Sequence, residues 1–349
     1  MSLLRDTGGP ETTEGWFLAN GLPYFVPRER ALARAALEPR HVLPRLVGVG
    51  LLALVLAAGL GWLSEQLAVG PAVIITVAVI AGAAYALTAL RARPIVGWAL
   101  GRTLSSVGSL LSTASRALPL LLVFVAFLFI NAEAWQMTAN MRFSTIWLTA
   151  LLLIGLGVVF LLVRLPEEVD RVDDEVDDEL LLRACRGTPL EDDCQALVDD
   201  PEADPSARAQ VTGYERWNLI AVLLVIQLVQ VVLLVAAIFV FLLLFGSLVM
   251  NREVQVAWTG LERTTNAPYL PNVSAQLVKV SLFLASFSGL YFTVSAVTDE
   301  TYRGQFFAGV MSHLERAVGM RAVYLTLRER RDPSDQSRES DPDAPVGGA

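Results

Sequence analysis

The chain has 349 residues, 54% hydrophobic and 18% charged, with a mean hydropathy of +0.51, too apolar for a soluble fold that must cover itself with polar surface. The formal net charge of -8 is unevenly spread, because residues 166–216 hold 17 acidic and five basic side chains, net -12, leaving +4 on the remainder. Of the 27 basic residues all but Lys279 are Arg, a bias expected of a GC-rich bacterial genome, so the bacterial cytoplasmic (inner) membrane is the expected location and the lipid bilayer the first partner.

In chain order, residues 1–45 form an N-terminal segment in which RERALARAALEPR (28–40) predicts a short basic helix ended near Pro39. Leu32, Ala36 and Leu37 share one side of it, a pattern suited to lying on an anionic leaflet. Uncharged apolar runs then predict six transmembrane helices, at 46–64, 70–90, 117–136, 143–163, 217–250 and 280–298. In hydrocarbon only a helix closes all of its own backbone hydrogen bonds. The first run starts too far from Met1 for a cleavable signal, so a retained N-terminus is expected. Between the second and third runs, Leu100, Leu104, Val107, Leu111, Ala114 and Leu118 fall on one face, which reads either as an interfacial helix or as a plain loop. The fifth run has 34 uncharged residues, about 50 Å of helix against about 30 Å of hydrocarbon. It is expected to tilt, protrude, or break near Gly246.

Arg and Lys fix the orientation, since their excess marks the cytoplasmic side. With both termini cytoplasmic, the inner segments hold 23 and the outer ones four: Arg142, Arg252, Arg263 and Lys279. Trp62, Trp135, Trp147 and Trp258 then fall at outer helix ends, and Trp98 and Trp217 at inner ends, where indole prefers the headgroup layer. Three stripes of small residues predict close helix contacts: Ala53, Ala57 and Gly61; Ala78, Gly82 and Ala86; Ser281, Ala285, Gly289 and Thr293.

The acidic loop 166–216 carries Val169, Val172, Val176 and Leu180 at helical spacing, so an amphipathic helix is expected to continue the fourth span. PLEDDCQALVDDPEADPSA (189–207) reads as irregular. A docking surface for a basic protein partner, a weak divalent-cation site and a solvated loop all fit it. After the last span, Thr298 or Asp299 can cap a cytoplasmic helix over 299–331 with Phe307, Val310, Met311, Leu314, Val318 and Leu325 on one face. That face needs cover from the membrane, another part of the chain, or a second subunit in a homo-oligomer. Residues 332–349 read as a disordered tail.

Catalytic patterns are missing. His41 and His313 both lie in the soluble flanks, Cys185 and Cys194 have no histidine near them to complete a zinc site, and no phosphate-binding glycine motif occurs. No catalytic residue, cofactor or metal is therefore expected, and no nucleic acid, since the basic residues are spread along the inner boundary. The candidate sites are polar groups at membrane depth, which are costly there. Asn131 and Glu133 lie toward the outer end of the third span, either within the layer or already in outer water. Gln227 and Gln230 share a face of the fifth, as interhelical hydrogen-bonding glue or as the lining of a polar pathway.

From Arg216-Trp217-Asn218 through Gln227 and Gln230, Trp258-Thr259-Gly260 and Phe287-Ser288-Gly289-Leu290-Tyr291-Phe292 to Val297-Thr298-Asp299-Glu300-Thr301-Tyr302-Arg303, the chain resembles uncharacterised integral membrane proteins of actinobacteria. The likeness covers mainly the last third and implies a six-span layout, with no activity, ligand or catalytic residue to carry over. The expected fold is therefore an all-α polytopic membrane protein with amphipathic cytoplasmic helices. A non-enzymatic scaffold or regulator that binds a partner through the acidic loop and C-terminal helix is the first reading; a channel or small-solute transporter using Asn131, Glu133, Gln227 and Gln230 is the second.

Overall fold

The computed structural model describes residues 10–105, 118–174, 176–262, 266–267, 270–298 and 300–331. They form α1 (Pro10–Ala19), a 3-10 turn (Pro23–Phe25), α2 (Pro27–Ala36), α3 (Pro39–Ser64), α4 (Val69–Thr88), α5 (Arg93–Ser105), α6 (Leu118–Phe129), α7 (Ala132–Asn140), α8 (Phe143–Asp174), α9 (Asp178–Cys185), α10 (Glu191–Val198), a 3-10 turn (Ser206–Arg208), α11 (Gly213–Val249), α12 (Arg252–Thr259), α13 (Ala275–Thr298) and α14 (Glu300–Arg331). Helix thus dominates, as expected. Among the described residues the exception is an antiparallel hairpin of β1 (Asn266–Ala267) and β2 (Leu270–Ser274), pairing Asn266 with Ser274 and Ala267 with Leu270.

Five helices, α3, α4, α8, α11 and α13, are long and apolar enough to cross a membrane. The expected third span is not one straight helix: α6 and α7 meet at a 70° bend. Asn131 leaves the helical region at the bend (φ -124°, ψ 116°) and its side chain accepts a bond from the Glu133 backbone N–H, giving α7 a cap of its own. The carbonyl of Phe129, orphaned by the break, accepts from Trp135 Nε1 at 2.9 Å. Trp135 is fully buried in protein and so has no surface left for a headgroup layer. Replacing it by Phe keeps the aromatic packing and strands the carbonyl, so Trp135→Phe is expected to cost about 1–3 kcal/mol, read as a lowered unfolding midpoint in detergent.

The chain divides into two compact units, one made of 1–30, 166–221 and 307–349, the other of 31–165 and 222–306. In the second, the core is built from Leu121, Val125 and Phe129 of α6, Trp135 of α7, Ile238 and Leu242 of α11, and Leu277, Val280, Leu284 and Ala285 of α13. The small-residue stripe of the sixth run, Ser281, Ala285, Gly289 and Thr293, is buried as expected, and a Cβ on Gly289 would lie 2.4 Å from Val235 Cγ2. In α3, Ala53 and Ala57 are buried. The stripe on α4 is not a packing seam, since Ala78 and Gly82 are exposed and Ala72 is the buried residue. Only 11% and 6% of the apolar windows of α3 and α4 are covered by protein.

Several expected boundaries move. The basic helix ends near Pro39 as expected, at Ala36, but Pro39 also begins α3, because a proline lacks only an N–H that the first helical turn leaves unpaired anyway. In α5, Ile95, Ala99 and Thr103 are buried while Leu100 and Leu104 are exposed. The predicted face is thus rotated, and Val107, Leu111, Ala114 and the Leu118 side chain lie outside the described residues. Helix α11 is continuous over 37 residues, about 55 Å, with no break at Gly246. Its first turns, up to Ala221, belong to the other unit. Gly246 instead marks close packing, as a Cβ there would meet Leu277 Cδ1 at 2.4 Å and Phe129 Cζ at 2.8 Å.

The other unit is where the loop expectation fails most. The helix expected over 169–180 ends at Asp174, and α9 begins afresh with the Asp177 side chain accepting from Leu180 N. The stretch expected to be irregular contains α10, with Cys194 and Leu197 buried. Residues Leu180, Leu181, Ala184, Leu190 and Leu197 are all buried, so this loop builds a core of its own. Against it lies α14: a Cβ on Gly319 would sit 2.5 Å from the Ala184 Cβ. On the predicted α14 face, Leu314 and Val318 are fully buried and Met311 and Leu325 partly so. Another part of the same chain thus provides their cover. The Phe307 and Val310 side chains, the cap Asp299 and the tail 332–349 lie outside the described residues. Phe17 of α1 completes the unit, edge-on to Tyr324 at 5.8 Å.

Candidate functional site

Two places concentrate polar side chains: the middle of the long helices, where the sequence points, and the joint between the three segments of the smaller unit. The four expected residues separate. Asn131 and Glu133 are exposed at the α6–α7 bend, with Asn131 Oδ1 2.8 Å from the Glu133 backbone N, so Asn131 acts as a helix cap. The bend packs at the level of Phe245, whose ring lies 5.8 Å from that of Phe129. Gln230 is 15 residues back along α11, about 22 Å. The two pairs therefore share no cavity.

Gln227 is fully buried, and neither its Oε1 nor its Nε2 has a hydrogen-bond partner; the same holds for Gln230 Oε1. An amide left so costs about 1–3 kcal/mol, and the interhelical bond expected of these side chains is not made. Toward the bend-side end of this unit several polar groups are satisfied, although Ser281 Oγ is not. Lys279 Nζ donates to the carbonyls of Ala139 at 3.1 Å and Met141 at 2.6 Å, closing the C-terminus of α7. Ser274 Oγ donates to Gln255 Oε1 at 2.5 Å and accepts from Leu277 N at 3.0 Å, capping α13.

The joint of the smaller unit centres on Glu215, in the first turn of α11. Its side chain is 5% exposed and takes Arg30 Nη1 at 2.9 Å on Oε1 and Arg321 Nε at 2.5 Å on Oε2. Arg321 Nη1 also donates to the carbonyls of Arg208 at 2.8 Å and Gln210 at 3.0 Å. One turn along α11, buried Asn218 accepts from Tyr24 N at 2.9 Å and donates to Gly21 O at 3.0 Å. Gly21 has φ +75°, which a residue without Cβ adopts freely. Further pairs run from Arg330 to Asp200 at 2.8 Å, Arg216 to Asp170 at 2.7 Å, and Arg208 to Glu329. Sequence reasoning missed this network, although the one carboxylate immediately before the longest apolar run was a usable signal.

Electrostatics follow this geometry. The Glu202 backbone N–H and then the Arg330 guanidinium hold Asp200 below the usual carboxylate range, and the Ser206 hydroxyl does the same for Asp204. Burial, then the Glu14 carboxylate that Tyr324 Oη contacts at 3.1 Å, pushes that phenol up to about 12. Cys185 and Cys194 are buried and free. The hydrogen bond between them, ahead of burial, raises Cys185 and lowers Cys194. Among the described residues no three His, Cys, Asp or Glu side chains gather as a metal site. What the unit offers outward is carboxylate: Asp178, Glu179, Asp192, Asp199 and Glu202 are exposed. Comparison with protein families, with curated proteins and with solved structures finds no match to this chain.

Proposed function

We propose that the chain is a multi-pass protein of the bacterial inner membrane, with both termini cytoplasmic and the bent α6–α7 pair as a sixth crossing, that acts without catalysis as a scaffold or regulator. Its cytoplasmic unit presents an acidic face to a basic protein partner. The supporting observation is that three segments distant in sequence meet on Glu215 and bury their apolar faces in one another, leaving charge on the outside. The C-terminal helix then serves as internal support more than as a docking surface, and recognition falls to the exposed acids of α9, α10 and the following turn.

Deleting the whole loop would remove the core, so the test neutralises only exposed acids without ion-pair partners. Asp192→Asn, Asp199→Asn and Glu202→Gln together are expected to leave the unfolding midpoint within about 0.5 kcal/mol of the parent while abolishing a crosslinked partner in native membranes. A partner retained at full yield, or self-association alone, would count against the scaffold. A second reading, a small-solute pathway past Gln227 and Gln230, draws support from the orphaned amide of Gln227. Ion or solute flux lost in Gln227→Ala would favour it, and Asn131 and Glu133 have no part in that path.

A further inference from the structure

We propose that the Arg-rich end of the α3–α4 hairpin binds the phosphate-bearing headgroup of an anionic phospholipid. The inference rests on reading α3 and α4 as membrane-spanning and goes beyond the scaffold role. The two helices run antiparallel about the turn at 65–68, which sets Arg45 level with Thr88 and so puts Arg40 at the same end as Arg91 and Arg93, directly after α4. Tyr85 organises this end. Its ring lies 5.4 Å under the Arg45 guanidinium, and its hydroxyl donates to the Ala36 carbonyl at 2.5 Å, tying the end of α2 to α4. Arg91 takes a left-handed φ of +56°, a conformation costly for a residue with a Cβ, and the turn it makes returns the chain into α5 with Arg93 exposed.

Charge at this end is one-sided. Within residues 31–105 the basic side chains are Arg34, Arg40, Arg45, Arg91, Arg93 and Arg102, and the acids only Glu38 and Glu65. Glu65 sits at the opposite, turn end, and Glu38 pairs with Arg40 at 2.5 Å with both side chains largely exposed. No side chain caps the first turn of α3, and its His41 and Val42 N–H groups are taken by the Glu38 carbonyl, so this helix end contributes its partial positive charge toward an anion.

Lipid, and not free phosphate, is the occupant that the neighbouring surface fits. Just below the guanidinium groups, Leu43, Leu46 and Val47 are 63%, 63% and 53% exposed. An anion carried on acyl chains can place its phosphate on Arg40, Arg45 and Arg93 while the chains run down that strip. A soluble anion gains nothing from it.

The test is native mass spectrometry of the full chain in detergent, titrated with phosphatidylglycerol, phosphatidylcholine or inorganic phosphate. Phosphatidylglycerol is expected to be retained selectively, and Arg40→Gln and Arg93→Gln each to lower that retention about fivefold. Arg142→Gln is the control, because Ser144 bonds Gln66 at 2.6 Å and so places Arg142 at the turn end of the hairpin; it is expected to change nothing. Equal retention of the two lipids, an equal loss in Arg142→Gln, or displacement of the lipid by matched inorganic phosphate would each overturn the site. Extraction of the parent chain from membranes by alkaline carbonate would overturn the spanning reading and this site with it.

Discussion

Glu215→Ala is expected to destabilise the three-segment unit by about 3–5 kcal/mol, the usual cost of stripping the partner from buried charge. The carboxylate is 5% exposed, and the Arg30 and Arg321 side chains on it are 23% and 11% exposed, so neither guanidinium recovers full hydration when the acid is lost. Arg321 still reaches the carbonyls of Arg208 and Gln210, but Arg30 loses the Glu215 carboxylate, and the α1–α2 segment keeps its bonds to Asn218 as a tie to α11. Glu215→Gln keeps an acceptor oxygen and should fall between parent and Ala. Limited proteolysis gives the readout: cleavage at Arg residues of α14 and of the 206–216 stretch should accelerate in Glu215→Ala while the apolar helices stay protected. A double-mutant cycle with Arg321→Met should be strongly non-additive, because the second change removes the charge that the first left stranded. Additive losses, or a loss under about 1 kcal/mol, would show that the network does not hold the segments together.

Much of the long-helix layout was legible because the solvent dictates it. Runs of apolar residues at 46–64, 143–163 and 280–298 reappear inside α3, α8 and α13, and all but the last two residues of 70–90 form α4. The continuation of the fourth span was legible in part, since α8 does run on through Pro166, but only to Asp174; the start of α11 at Gly213, before its uncharged run, was not, because helix continuity does not stop where hydrocarbon does. The bend in the third run was hidden by its hydropathy, though Asn131 followed by Glu133 is a helix-start signal. Trp135 shows the limit of a side-chain rule. An indole near a helix end was expected at the lipid boundary, whereas its N–H is taken by a carbonyl that exists only because the helix breaks.

For the candidate sites, chemistry was legible without proximity. Gln227 and Gln230 do share the interior of one helix, but Asn131 and Glu133 sit a long way along the helix bundle, which only the packing of Phe129 on Phe245 reveals. The acidic loop was misread for a related reason. Its net charge of -12 suggests solvated chain, yet Leu180, Leu181, Leu190 and Leu197 are enough to form a core once α14 supplies the opposite face. The contacts that fix this arrangement join residues 185 and 106 positions apart in the chain, beyond the reach of any local pattern.

That opposite face sets the second large effect, at Gly319. A Cβ added there would lie 2.5 Å from the Ala184 Cβ, with Leu180 and Leu181 Cδ2 at 3.7 Å. The first of these atoms is fixed to backbone and cannot rotate away, unlike the leucine and phenylalanine tips that crowd Gly246. For ordinary contact α9 and α14 would have to separate by about 1 Å, in an interior packed as densely as a crystal. Gly319→Ala is expected to cost about 1–3 kcal/mol from overpacking, partly offset by the higher helix propensity of Ala, worth about 1 kcal/mol. Gly319→Leu has no such escape and should lose about 3 kcal/mol or more, with α14 becoming protease-sensitive as in Glu215→Ala. Ala184→Gly placed in the Gly319→Ala chain exchanges the two side chains across the contact, removes the clash and leaves one Gly and one Ala in the two helices as before. Stability should then return to within about 0.5 kcal/mol of the parent. If the double variant is as unstable as Gly319→Ala alone, the close approach of α9 and α14 is not what requires glycine at this position, and the self-covered C-terminal helix on which the scaffold reading depends would have to be abandoned.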